Sequence, residues 1–305
     1  MANLCLENVQ FLNQNEFDLI MNESYNLELS SINESVDLKA LATKFLEKIK
    51  YIVAKIKEAF KRLFSKFKVD SKKYTEIVNR QKEQTKNNST KENLPDVDTV
   101  ECNLEVEHEK YLSPDFLDIF EKECSTVSDN AKKSIDKLYE LYKKGEGVLL
   151  SHYGFDRDRE KIIYDLTKRS CCKTIEDYLD DAFGKNVIVK SVENNNSSGI
   201  NQKDLIDKCY RTLADFNKIC VMVEDLDGFE RDFDSKFIKN PVNPDDITFA
   251  DSSRRVLMDA YYIITFVCQL KQRFITVLNQ YRNFLRNIIN MSYYGTKYKY
   301  VKINT

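Results

Sequence analysis

The residues best suited to chemistry are the cations and rings of 38–68, LKALATKFLEKIKYIVAKIKEAFKRLFSKFK. Lys44, Lys48, Lys50, Lys55, Lys57, Lys61, Arg62, Lys66 and Lys68 are interleaved here with Phe45, Tyr51, Phe60, Phe64 and Phe67. Cations set among apolar residues can hold phosphate, an anionic lipid surface or an acidic protein face. Lysine outnumbers arginine 35 to 12, and arginine is the residue favoured for base readout. Any contact with nucleic acid would therefore run through phosphate, ignore sequence and weaken with salt.

The other chemistry-bearing residues exclude more than they suggest. With only His108 and His152, neither a His-rich metal site nor a Ser-His-Asp triad is expected. Glu224, Asp225, Asp227 and Glu230 are too closely adjacent for a Ca²⁺ loop, and read as a solvated helix end. Asp156, Asp158 and Glu160 alternate with Arg157 and Arg159 and neutralise one another. No P-loop, G-x-G-x-x-G, G-x-S-x-G or H-E-x-x-H occurs. The eight cysteines form no C-x-x-C pair, and are expected as reduced thiols, with adjacent Cys171 and Cys172 read as a buried thiol and its neighbour in preference to a redox pair. The expectation is a non-enzymatic protein without cofactor or metal.

The elements that must position the cations follow from periodicity. Leu38, Leu41, Phe45, Ile49, Ile52, Ile56, Phe60, Leu63 and Phe67 recur three or four apart, one face of a helix about 46 Å long. Ser35 is the expected N-cap, with Asp37 in the first turn and a break near Asp70 and Ser71. Charge is sorted along the chain: residues 1–37 carry −7, 38–73 carry +9 and 251–305 carry +7, within a net −2. The expected organisation is an acidic segment over 1–37, a basic amphipathic helical arm over 38–85, a polar linker over 86–109 and a helical bundle over 110–305.

Seven glycines and four prolines in 305 residues favour long helices, so the fold class is mainly α, with at most a small β-ribbon. Ser113-Pro114-Asp115 opens one helix, running to Lys144. Two more are expected over 156–170 and 174–183, the second with a capping box from Thr174 to Asp177. Residues 186–192 read as a strand that the lysine-rich tail, 293–303, could pair. Helix is expected again over 202–225. FERDF and the Pro-containing KNPVNPDDITFADSS are expected as loop (236–251), and a long apolar helix over 252–291 as the centre of the bundle. The stretch 256–270 is too short for a membrane span, and is broken by Asp259 and Gln269. The first residues lack a secretory signal.

An acidic lead, a Lys/Phe-rich amphipathic helix, a polar linker and a helical body ending in a long apolar helix together resemble virion structural and internal head proteins of tailed bacteriophages. The resemblance implies location in the virion, and in the host cytoplasm during assembly. It implies other virion proteins or further copies of the chain as partners, with DNA or an anionic membrane as further targets. Some head proteins of such phages are trimmed after a Leu/Ile-x-Glu tripeptide. Ile32-Asn33-Glu34 matches it, making Ile32 and Glu34 a candidate processing site. The binding residues implied on the arm are Lys44, Lys48, Lys55, Lys61, Arg62 and Lys66 on its basic face. Phe45, Ile49, Ile52, Ile56, Phe60, Leu63 and Phe67 form its apolar face. That apolar face suits a lipid interface or the interior of a bundle equally. The alternative to a virion protein is a cytoplasmic bacterial protein bound peripherally to a membrane.

Overall fold

The computed structural model describes residues 37–87, 103–106, 110, 115–144, 155–184, 187–190, 217–239 and 247–294. The helices are α1 (Leu38–Asn87), α2 (Phe116–Lys144), α3 (Phe155–Thr167), α4 (Ile175–Phe183), α5 (Asn217–Glu224), α6 (Leu226–Phe233) and α7 (Ile247–Tyr294). Strands β1 (Asn103–Val106) and β2 (Val187–Lys190) form an antiparallel ribbon. The fold is a mainly α helical bundle.

Local side-chain chemistry accounts for the helix starts. Asp37 caps α1: the Lys39 N–H donates to its Oδ1 at 2.9 Å, and the Leu41 N–H to its carbonyl at 3.0 Å. The cap lies two residues beyond Ser35, which is outside the described residues. The capping box of α4 forms as its sequence implies. The Asp177 N–H donates to Thr174 Oγ1 at 3.0 Å, and the Thr174 N–H returns to Asp177 Oδ2 at 3.0 Å. The Lys173 N–H also reaches that carboxylate, at 3.1 Å. Hydrogen bonds from Lys173 first, then Thr174, hold the Asp177 carboxyl below its ordinary pKa.

Several elements differ from expectation. α1 continues unbroken for 50 residues, about 75 Å, because Asp70 is not a surface breaker. Asp70 is 7% exposed and accepts from Arg282 Nε at 2.7 Å. FERDF is helical within α6, and a π-helical turn follows (Asp234–Ile238), closed by the Lys239 N–H on the Asp234 carbonyl at 3.0 Å. Phe229, Phe233 and Phe237 recur every fourth residue and are all buried, which outweighs Gly228 and the surrounding charge. The partner of β2 is β1, inside the expected linker, with Leu104 opposite Val189. The remaining linker residues 88–102 and 107–109 and the tail beyond Tyr294 lie outside the described residues, as does most of the helix expected over 202–225.

Two compact units divide the chain. Described residues falling in 1–62, 121–179 and 220–275 form the first, and those in 63–120, 180–219 and 276–305 the second. In the first, Phe45 of α1 stacks on Tyr261 of α7 at 4.2 Å and 12°. Phe237 meets the edges of Tyr139 and Tyr142, and every residue of α7 from Ile263 to Lys271 is buried. In the second, Phe116 contacts Phe120, Phe183 and Tyr281, the last at 4.2 Å. There Lys110 Nζ donates to the carbonyls of Asp181 (3.1 Å) and Ala182 (2.6 Å), completing the last turn of α4.

Candidate anion-binding face and buried ion pairs

The expected apolar face of α1 is core. Phe45, Ile49, Ile52, Ile56, Phe60, Leu63 and Phe67 are each buried, between 0% and 8% exposed. The segment expected as an arm over 38–85 thus contributes this face to the interior, leaving its cations on the other side.

At about 100° per residue, those cations fall into two stripes centred about 145° apart. One contains Lys39, Lys50, Lys57 and Lys61. Within it, Lys57 pairs with Asp227 and Lys50 approaches Glu230 at 4.0 Å. The acidic residues expected to be a solvated helix end therefore face basic α1, because α6 presents Asp227 and Glu230 three apart on one side.

The other stripe contains Lys44, Lys48, Lys55, Arg62 and Lys66, all residues of the expected basic face. Lys44, Lys55 and Arg62 are exposed, while Lys48 and Lys66 are half-buried. Arg62 bonds to Glu58 one turn away, and Lys55 Nζ stands 5.5 Å from the ring of Tyr51. Tyr51 belongs to this stripe and is 50% exposed. Lys61 is also exposed, at the edge of the first stripe. An outward row of cations around an exposed ring can contact phosphate and stack on a planar group. Ile32 and Glu34 lie outside the described residues, as do His108 and His152.

Three polar clusters escaped the sequence reading. In the first unit, Lys271 is fully buried and donates to Asp225 Oδ1 at 2.8 Å. Asp225 is the joint residue between α5 and α6, so the pair fixes that corner against α7. Cys124 and Cys268 share its surroundings. Burial pushes both thiols up to about 12, opposed by Lys271 and assisted by Asp225.

Also in the first unit, Glu123 accepts from the Tyr178 hydroxyl at 2.8 Å and from Arg169, whose guanidinium carbon lies 5.7 Å from the Tyr178 ring centre. Burial first, then Glu123, drives the Tyr178 pKa well above its ordinary value. In the second unit, Asp70 joins Arg282, with Arg286 at 3.7 Å. One signal was legible: a lysine directly after an apolar run must be paired if that helix is buried all round. The identity of its partner, 46 residues away, was not.

No protein-family model, curated protein or solved structure matches the chain. Among the described residues, no helix is long and apolar enough to cross a membrane.

Proposed function

We propose that this chain is a non-enzymatic structural or internal protein of a tailed-phage virion, made in the host cytoplasm, whose outward α1 stripe binds packaged nucleic acid through phosphate. The observation that carries the binding reading is the sorting of α1. Its apolar face is consumed by the core, whereas Lys44, Lys55 and Arg62 stand outward around Tyr51. With its phenylalanines occupied, α1 acts on an anionic partner by charge and without apolar insertion.

Gel shift and filter binding of the full chain with mixed-sequence DNA test this reading. Binding is expected at low salt without sequence preference, its log affinity falling linearly with log salt. Lys44→Glu, Lys55→Glu and Arg62→Glu together should abolish it while leaving the urea midpoint nearly unchanged. Absence of binding at low salt, or full binding by the triple variant, overturns the assignment. Mass spectrometry of purified particles tests the virion location, and an intact N-terminus there would exclude trimming after Glu34.

A second reading, peripheral attachment to an anionic membrane, is favoured by half-exposed Tyr51, an aromatic suited to the headgroup level. Co-sedimentation with phosphatidylglycerol vesicles that is lost with phosphatidylcholine vesicles, in the absence of DNA binding, would select it. A face contacting another virion protein would bind neither.

A further inference from the structure

The loop between α3 and α4 carries Cys171 and Cys172, whose sulfurs lie 3.6 Å apart. Cys171 is exposed and Cys172 is 4% exposed, so one sulfur meets solvent and the other waits behind it. We propose that this adjacent dithiol is a redox-reactive site that a low-molecular-weight disulfide of the oxidised-glutathione type converts to an eight-membered vicinal disulfide ring. This site is separate from the α1 stripe and does not rest on its assignment.

Three features support it. The sulfurs need approach by only about 1.6 Å to reach bonding distance, within the compass of side-chain rotation. Their unequal exposure sets the order of events. Of the flanking cations, exposed Lys173 attracts an anionic disulfide, while Lys168 is engaged by Asp165 at 3.6 Å.

The Cys171 thiol gives up its proton, and its sulfur attacks one sulfur of the incoming disulfide. That S–S bond breaks, a mixed disulfide forms on Cys171, and the first small thiol leaves. The Cys172 thiol then loses its proton and attacks Cys171 Sγ, displacing the second small thiol. The chain has lost two protons and two electrons, and one small disulfide has become two thiols.

Adjacent Cα atoms are about 3.8 Å apart, less than the roughly 4.4–6.8 Å that unstrained disulfides span. The ring is therefore strained and readily reduced, as suits a reversible site more than a structural crosslink. Its strain falls on a short loop in which Lys168 already has φ 59° and Arg169 holds Glu123.

The experiment incubates the full chain with oxidised glutathione, blocks remaining thiols by alkylation and maps the tryptic peptide Ser170–Lys173, which contains only these two cysteines. That peptide is expected about 2 Da lighter than its dithiol form, without glutathione or alkyl groups, and restored by reduced glutathione. In Cys172→Ser, Cys171 should stay trapped as the glutathione adduct. In Cys171→Ser, buried Cys172 should stay unmodified. Two alkylated thiols, or a persistent adduct on the wild-type peptide, overturns ring closure. Glutathione on Cys172 in the Cys171→Ser chain overturns the assigned order.

Discussion

The two long helices solve opposite problems. α1 is amphipathic, with a buried apolar stripe and cations outward, and its ion pairs to α6 stand in solvent. α7 is buried on every side between Ile263 and Lys271, and must satisfy its polar residues from within. The Lys57–Asp227 pair sits at the surface, with side chains 27% and 53% exposed, whereas Lys271 has no exposed side-chain surface at all. A lysine on α1 thus keeps its contact with water, and one on α7 is a constraint on the core.

Lys271→Met should have the largest effect. It strands the Asp225 carboxylate and should lower unfolding free energy by about 3–5 kcal/mol, read from urea denaturation. Adding Asp225→Leu should restore most of that loss, since a well-packed apolar pair can replace a buried ion pair. A neutral single substitution would break the contrast between the helices. Phe45→Ala tests the other side and should cost a similar amount, about 3–5 kcal/mol, by opening a cavity beneath Tyr261. A loss below about 0.5 kcal/mol would instead make α1 an arm whose packing contributes nothing, since ordinary surface changes stay in that range.

Alkaline pH should act on the buried thiols packed around α7. Cys124 and Cys268 keep their protons up to about pH 12 when folded but titrate near their ordinary 9.0 when unfolded. The native chain therefore binds more protons than the unfolded chain between those values, and stability falls as pH rises. The expected slope is up to about 1.4 kcal/mol per pH unit for each thiol. Cys268→Ala should flatten the decline of the melting temperature above pH 9. The smallest effect belongs to Lys57→Gln, about 0–1 kcal/mol and erased by salt, as for exposed pairs generally. A larger loss would mean that the α1–α6 contact is shielded from water, narrowing the difference from Lys271.

Legibility tracked how local the cause was. The Thr174–Asp177 box, the α1 stripe and the Cys171–Cys172 adjacency are written within a few residues, and each takes its expected local form. The α6 helix was missed because Gly228 and four nearby charges resemble a turn, while the burial that holds Phe229, Phe233 and Phe237 comes from elsewhere in the chain. The β2 strand was visible, but its partner β1 was not, since a four-residue pairing carries almost no register information.

By itself the sequence determined that the chain is helical and that one face of α1 is apolar and the opposite one basic, because periodicity and charge are local properties. Only the tertiary structure decided what covers that apolar face and which acids meet its lysines. It also decided that Lys271, Arg282 and Asp70 lie within the protein. Burial and ion pairing depend on segments brought together across as many as 212 residues, and no local pattern specifies such partners.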